Sequence, residues 1–481
     1  MPKKPSGVIL PFLSVDRSTG GEIGTQIYSM LRRAIDDGVL RPGFRLPSSR
    51  ELAHQAGVAR NSVNDAYRRL IVEGFLRGRS GSGTYVVGPA VTVHPKRSRV
   101  TLSRWAAASV RHALPPRTAN RPFALGGAAA DEFSWPRWLQ LVSQGWRLWR
   151  EGTPEPEPHG AEELRMAIAE RAAVVSGISC SADEVIVSSA GEGLVMALAR
   201  LIADPGDSIL IDDPTDRATR FLLELIGLRC EEAVIEDDGL DVERAVSSKV
   251  RAALLRPSAE GVSGIVMAAG RRYATMSWAK THGTTVIEDD FDSIVDPAVL
   301  GLRSLKSLDS MGVCIYVADL SRALMPGIRM SYAIAPRGVV EAWRAADFLP
   351  VKPPTIGEQL ALAAFLRSSE FPRHIAKMRS AYTERRDALT AEVTSRLYGG
   401  VTAVERRGPL QLILRITDKL RDVSIAEAAA GLGLDVMPLS PFSPDQQGLI
   451  VGYGGSSPRQ LRQAVAVLAE AFCPAAGITA L

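Results

Sequence analysis

Cysteine is scarce in this chain: Cys180, Cys230, Cys314 and Cys473 are the only four in 481 residues, and no two share a paired spacing. That excludes a disulfide framework or a Cys-rich zinc site and fits reduced cytosolic thiols. The six histidines are equally dispersed, without metal-ligand spacing. No apolar run approaches the ~18–20 residues of a membrane span. The basic start, Met1–Gly7, leads into a short apolar stretch, Val8–Val15, broken by Pro11 and lacking a signal-peptide cleavage pattern. The expectation is a cytoplasmic protein with no membrane partner. No internal repeat is present.

What is there is a long globular chain. With 46% hydrophobic and 23% charged residues it has ample material for a core, and 481 residues exceed one ordinary domain, so two or three are expected. The net charge of +4 conceals an asymmetry. Residues 1–122 hold 20 Lys and Arg against 7 Asp and Glu, whereas the remainder holds 37 against 46. A basic head on an acidic body points to a head that meets a polyanion.

In the head, Ile23, Ile27, Met30, Leu31, Ile35 and Val39 recur at helical spacing, and Arg41-Pro42-Gly43 ends that helix. Leu46-Pro47-Ser48-Ser49 sets an N-cap for a short second helix that stops near Gly57. A third helix starts near Ala59-Arg60-Asn61-Ser62-Val63 and runs to Glu73, with Gly74 as its stop. Short helix, tight turn and helix make a helix-turn-helix, with Arg60 and Asn61 at the end of a recognition helix that reaches base edges. Phe75–Val87, with the tip Gly78-Arg79-Ser80-Gly81-Ser82-Gly83, reads as a β-hairpin wing. A bare flexible turn is the plain alternative for the glycines. A phosphate-cradling loop is discarded, because it needs a strand before it and a helix after it.

The run Leu46-Pro47-Ser48-Ser49-Arg50-Glu51-Leu52-Ala53, followed by Arg60-Asn61-Ser62-Val63, Ala66-Tyr67, Leu70, Glu73-Gly74 and Gly81-Ser82-Gly83-Thr84, resembles the GntR-type winged helix. The resemblance implies contact with double-stranded DNA by Ser49, Arg50, Arg60, Asn61, Ser62, Arg79 and Gly81. Ala59 departs from it, standing where the family usually has serine. The winged helix is expected over residues 20–88. Residues 89–122 form a basic linker with seven cations (Lys96, Arg97, Arg99, Arg104, Arg111, Arg117, Arg121), no acidic residue and prolines 89, 95, 115, 116 and 122. A short helix is expected over 105–114. Lying along DNA, such a tether adds sequence-independent affinity by counterion release.

The body, 123–481, alternates strands (Glu184–Ser188, Ser208–Asp212, Arg251–Leu255, Thr285–Glu288, Cys314–Val317, Ser331–Ala335) with helices (Gly193–Ala203, Arg217–Leu228, Arg271–His282). That order predicts an α/β part with a largely parallel sheet to about residue 350. From about 355 the chain reads as a smaller α+β part, with helices over Glu358–Arg367, Ile375–Leu397 and Pro458–Phe472.

Several runs resemble the fold-type I aminotransferases, in the version fused to a GntR head, the MocR-like regulators. They include Asp204-Pro205-Gly206-Asp207, Glu288-Asp289-Asp290-Phe291-Asp292-Ser293, Leu320-Ser321-Arg322 through Arg329 and Gly448–Tyr453. The resemblance implies a fold-type I transferase-like body, a homodimer and a pyridoxal phosphate site. That site departs from the family. Arg322 stands where a lysine forms the Schiff base, which needs a nitrogen that deprotonates and attacks an aldehyde. Arginine stays protonated at working pH. Phe291 replaces a tyrosine, Asp216 an aromatic ring, and Ala259-Glu260 the usual His-Gln. What survives is Asp289, placed for a pyridinium nitrogen, with Ser321 and Arg329 as phosphate contacts. Asp289 and Asp290 could instead cap the following turn, Arg329 could pair with Asp292, and Arg322 could pair with Asp289 across the pocket.

The expectation is a DNA-binding transcription regulator with no bound cofactor, no metal and no catalysis, whose body dimerises and senses a small anionic effector. The alternatives are an active pyridoxal phosphate aminotransferase, a regulator that binds the cofactor without a Schiff base, and a body that only dimerises.

Overall fold

The structure is a computed structural model that describes Leu10, Val15, residues 22–79 and 82–87, Ser103, Ala106 and residues 121–475. Positions 153–156, 190, 214, 216, 246–249, 260–263, 291–292, 296–300, 321–322, 326, 347–350, 398–400, 405–409, 418–419 and 444–445 fall outside that description. So does nearly all of the linker, including the helix expected over 105–114. Two compact units are formed, one within residues 1–102 and one within 103–481.

The first unit holds α1 (Ile23–Asp36), β1 (Arg45–Leu46), α2 (Ser49–Ala56), α3 (Arg60–Val72), β2 (Leu76–Arg79) and β3 (Gly83–Val86). The apolar stripe of α1 (Ile27, Leu31, Ile35) packs on Leu52 of α2 and on Val63, Ala66 and Leu70 of α3. Each fully buried Leu or Ile contributes ~1.5–3 kcal/mol. Ser48 begins α2 with a reciprocal capping box: its hydroxyl accepts from the Glu51 amide at 3.2 Å, and its own amide donates to the Glu51 carboxylate at 2.8 Å. Such a cap stabilises by ~1 kcal/mol. Gly57 ends α2 at φ +63°, a left-handed conformation that costs a side-chain-bearing residue energy. The strands form an antiparallel sheet in the order β1-β3-β2.

The second unit is built on an eight-stranded sheet of β4 (Val185–Ser188), β5 (Ser208–Asp213), β6 (Arg229–Glu236), β7 (Gly239–Leu240), β8 (Ala252–Leu255), β9 (Thr285–Asp290), β10 (Cys314–Asp319) and β11 (Ser331–Ile334). Its order is β4-β11-β10-β9-β8-β5-β6-β7. The central pairings β10/β9, β9/β8, β8/β5 and β5/β6 are parallel, while β11 runs antiparallel to both its neighbours. The central strands β4, β8, β10 and the first residues of β5 and β9 are mostly apolar because both faces are covered. Ile186, Ile209, Ile211, Leu254, Ile287, Ile315 and Val317 form one core, and Val185, Val187, Tyr316 and Ala318 enter the other.

The helices that accompany this sheet are α4 (Trp135–Arg150), α5 (Glu162–Val175), α6 (Gly191–Ile202), α7 (Arg217–Leu225), α8 (Val242–Ala245), α9 (Ala269–His282), α10 (Leu305–Leu308), α11 (Arg337–Ala345) and α12 (Ile356–Arg367). Two glycines let α4 and α12 cross closely: a Cβ on Gly145 would strike the Gly357 carbonyl, and one on Gly357 the Trp146 indole. The long α13 (Glu370–Arg396) leads to the smaller part, with β12 (Val401–Val404), β13 (Gln411–Ile416), α14 (Asp422–Gly431), β14 (Met437–Pro438), β15 (Gly448–Gly452) and α15 (Pro458–Ala475). Its antiparallel sheet runs β12-β13-β15-β14. Among the described residues no helix is long and apolar enough to cross a membrane, and no His, Cys, Asp and Glu cluster could hold a metal ion.

The sequence expectation omits β6 and β7 and stops β9 and β10 two residues early. β6 carries Arg229, Glu231, Glu232 and Glu236, a polar pattern suited to a strand near the sheet margin. β9 continues through Asp289 and Asp290 because both carboxylates find partners at the strand end, as described below.

Candidate nucleic-acid interface and body pocket

The start of α3 is held against the start of α2. Arg60 Nε donates to Ser49 Oγ at 3.3 Å, and the buried Tyr67 hydroxyl donates to the Pro47 carbonyl at 2.8 Å. Arg60 and Asn61 are thereby left exposed on the first turn of α3, with Ser62 half-buried behind them. Ala59 provides no side-chain cap. Arg50 is exposed and makes no hydrogen bond or ion pair among the described residues. Arg79, on β2, is exposed with its guanidinium 5.3 Å from the Tyr85 ring centre. Gly81 lies outside the described residues. Ser49, Arg50, Arg60, Asn61 and Arg79 therefore belong to one small scaffold, on the starts of two helices and on the wing.

A cleft that the sequence does not announce runs between α3 and the wing. Arg45, Ser48, Ser49, Asn64, Arg68 and Thr84 line it.

In the body, the parallel register sets Leu255 of β8 opposite Glu288 of β9. The next residues, Arg256 and Asp289, are therefore neighbours on one face of the sheet. Arg256 Nε donates to Asp289 Oδ2 at 2.9 Å, while its Nη atoms reach Thr219 Oγ1 at 2.9 Å and Thr215 Oγ1 at 3.4 Å. Asp212 Oδ1 lies 4.0 Å from the same guanidinium. The other oxygen of Asp289, Oδ1, is buried without a donor. Burial pushes the Asp289 carboxyl up to about 6, against the pull of Arg256. Among the described residues the partner of Asp289 is Arg256; Arg322, the partner the sequence pointed to, lies outside the described residues together with Ser321, Phe291, Asp292, Asp216 and Glu260.

The flanking carboxylates have structural work. Asp290 caps the following turn, accepting from the Ser293 amide at 3.2 Å, the Ser293 hydroxyl at 2.5 Å and the Tyr316 hydroxyl at 2.8 Å. Glu288 accepts from the amides of Leu305 and Lys306 at 2.9 and 2.8 Å, and burial raises its carboxyl to about 7. Arg329 is exposed and unpaired among the described residues. Ahead of α6, the Ser189 amide is spent on the Lys352 carbonyl at 3.0 Å, so it offers nothing to a ligand anion.

Residues 23–86 match the family described as bacterial regulatory proteins, gntR family. The chain is also 29% identical over 479 residues to the probable rhizopine catabolism regulatory protein MocR of Rhizobium meliloti, covering 96% of each chain. It is 28% identical to the pyridoxine biosynthesis transcriptional regulator PdxR of Corynebacterium glutamicum, over 93% of this chain and 96% of that one. Residues 23–86 thus form a GntR-type head, and over nearly its full length the chain is similar to MocR-type regulators. Its body has the fold-type I aminotransferase fold: kynurenine aminotransferase of Pyrococcus horikoshii superposes with a TM-score of 0.68 at 17% identity, over 79% of this chain and 98% of that one. Aspartate aminotransferase of Thermus thermophilus gives 0.65 at 22% identity, over 77% and 99%.

Within this chain, sequence reasoning missed Arg256 in the body and Arg45, Asn64 and Arg68 in the head. A signal for Arg256 existed: a lone arginine directly after the apolar run Ala252–Leu255, at the end of a strand where charge must find a partner. For the head residues the signal was only helical spacing, since Asn61, Asn64 and Arg68 recur at three and four residues.

Proposed function

We propose that this regulator binds double-stranded DNA as a homodimer through Ser49, Arg50, Arg60, Asn61, Ser62, Arg79 and Gly81 of each head, and that its body is a sensor without catalysis. The observation that carries the second half is the Arg256–Asp289 ion pair. Pyridoxal phosphate would need Asp289 for its ring nitrogen, a lysine for its aldehyde and amides ahead of α6 for its phosphate. Asp289 Oδ2 is held by Arg256, position 322 is an arginine, and the Ser189 amide is spent. The residues do not fit a Schiff-base cofactor. Asp289 Oδ1 alone, lacking a donor, favours a ring held without a covalent bond.

With Asp289 balanced by Arg256, the exposed Arg329 and, by resemblance, Arg322 are left to meet a small anionic ligand. A ligand that prefers one body conformation would shift the spacing of the two heads on DNA. The test is titration of the full-length protein with pyridoxal phosphate, followed by absorbance and by thermal shift against small carboxylates and phosphates. The expected result is no borohydride-reducible visible band and a stabilising shift with an anion. A reducible band would overturn the proposal. A shift with pyridoxal phosphate and no reducible band would select the non-covalent reading.

A further inference from the structure

Two arginines of the head are engaged at the contact between α1 and α3: Arg32 pairs with Asp36 and Glu73 at 3.0 and 2.9 Å, and Arg69 lies 4.2 Å over the Tyr28 ring with Thr25 Oγ1 at 3.3 Å. Those facing the cleft are not. Arg45 and Arg68 are both exposed and have no hydrogen bond or ion pair among the described residues. They stand on opposite banks, Arg68 on α3 and Arg45 on β1, where its guanidinium lies over Gly83: a Cβ there would sit 2.9 Å from Arg45 Nε. Between them are Ser48, Ser49, Asn64 and Thr84. The Glu51 carboxylate reaches the same cleft but is turned to the Ser48 amide at 2.8 Å.

The geometry of duplex DNA says what such a cleft is for. A recognition helix lies in the major groove, and a wing that meets the neighbouring minor groove must straddle the phosphate backbone that separates the two. That backbone passes between helix and wing. Arg68 is eight residues beyond Arg60, or ~12 Å along the helix, which matches the ~12 Å width of the major groove. An arginine there is past the base edges and level with the groove's wall.

We propose that Arg45 and Arg68 clamp the sugar-phosphate backbone of duplex DNA in the cleft between α3 and the wing. They position the head without reading sequence. The clamp rests on the reading of residues 23–86 as a DNA-binding head, and the experiment separates the two.

Full-length protein is titrated with a duplex selected from a random pool and with a scrambled duplex, each at several salt concentrations. Arg45→Ala and Arg68→Ala are each expected to lower affinity about fivefold at 0.15 M salt, equally for both duplexes, and to make the salt dependence shallower by ~0.9 in log K against log salt. Arg68→Lys is expected to retain the wild-type slope, which also controls for a folding defect. Unchanged slopes in both alanine variants, with wild-type binding intact, would overturn the clamp alone. So would a loss confined to the selected duplex, which would make these residues base readers. A wild-type chain that retains neither duplex would overturn the DNA-binding reading and the clamp together.

Discussion

In the body, Arg165, Arg272 and Arg385 are buried to 3% exposure or less, and each spends its donors on backbone carbonyls or carboxylates. Arg272 donates to the carbonyls of Met267, Arg303 and Pro257, and Arg385 to the Gly454 carbonyl and to Asp131. In the head, Arg45, Arg50 and Arg68 are exposed with no partner among the described residues. The planar guanidinium suits both uses. Where the chain supplies the acceptors, the cation welds segments far apart in sequence. Where it does not, the acceptors have to come from another molecule. The charge surplus of the head therefore reflects unspent donors and not merely composition.

The comparison breaks first at Arg385. Arg385→Ala would leave the Gly454 carbonyl without its buried donor and remove a buried side chain, while the half-exposed Asp131 stays solvated, and the expected loss of body stability is ~2–3 kcal/mol. Arg68→Ala, an exposed change in the head, should alter stability by no more than ~0.5 kcal/mol. None of the seven tryptophans lies within residues 23–86, so tryptophan fluorescence during denaturant unfolding reports on the body without the head. Equal midpoints for Arg385→Ala and wild type would show that buried pairing is not what these body arginines do.

Arg256 tests the same idea at a pair whose acid can neutralise. The Asp289 carboxyl titrates near 6 in the folded chain, above its ordinary value, so folding takes up a proton between about pH 4 and 6. The associated stability is present at low pH and is lost as pH rises through 6. Removing the Arg256 cation would push that carboxyl higher still. Arg256→Leu should therefore cost little near pH 5, where Asp289 is mostly neutral, and at least ~1.4 kcal/mol more at pH 8, one unit of further shift. Denaturation midpoints at the two pH values decide it. A cost independent of pH would mean that Arg256 acts by packing and not by charge.

Next in size is Arg60, proposed above to meet the base edges. Arg60→Ala should lose ~1–3 kcal/mol of preference for the selected duplex over a scrambled one, measured at fixed salt. If both duplexes weaken together, Arg60 is a phosphate contact like Arg68 and the recognition-helix assignment fails.

The head was legible in sequence because its signals are local. A cap at Ser48, a stop at Gly57 and an apolar stripe from Ile27 to Ile35 each lie within a few residues of what they determine. The sheet order of the body was legible only as a class, since alternating strands and helices imply parallel pairing without saying which strands meet. The side-chain cluster around Asp289 was the least legible part. Arg256 faces Asp289 only because β8 and β9 pair with Leu255 opposite Glu288, and a register between strands thirty residues apart leaves no mark in either strand. Resemblance alone led to Arg322, by putting the nearest cation at the position whose chemistry had changed. The cleft of the head was hidden for a similar reason: Arg45 and Arg68 meet across it only when β1 pairs with the wing.

The smallest effect is expected at Arg69, which sharpens the comparison from inside the head. It sits beside Arg68 in sequence yet faces α1, stacked on Tyr28 and hydrogen-bonded to Thr25. Its guanidinium is directed to Tyr28 and Thr25 of α1 and not to the cleft, so it is not expected to meet the DNA backbone. An exposed cation–π contact of this kind contributes ~0.5–1 kcal/mol. Arg69→Ala should loosen the α1–α3 contact by about that much, seen as faster amide exchange over Ile23–Asp36, while the salt slope of DNA binding stays at the wild-type value. A shallower slope for Arg69→Ala would show that pairing within the chain does not separate the structural arginines of the head from those that hold DNA. The division would then have to follow position on the scaffold alone.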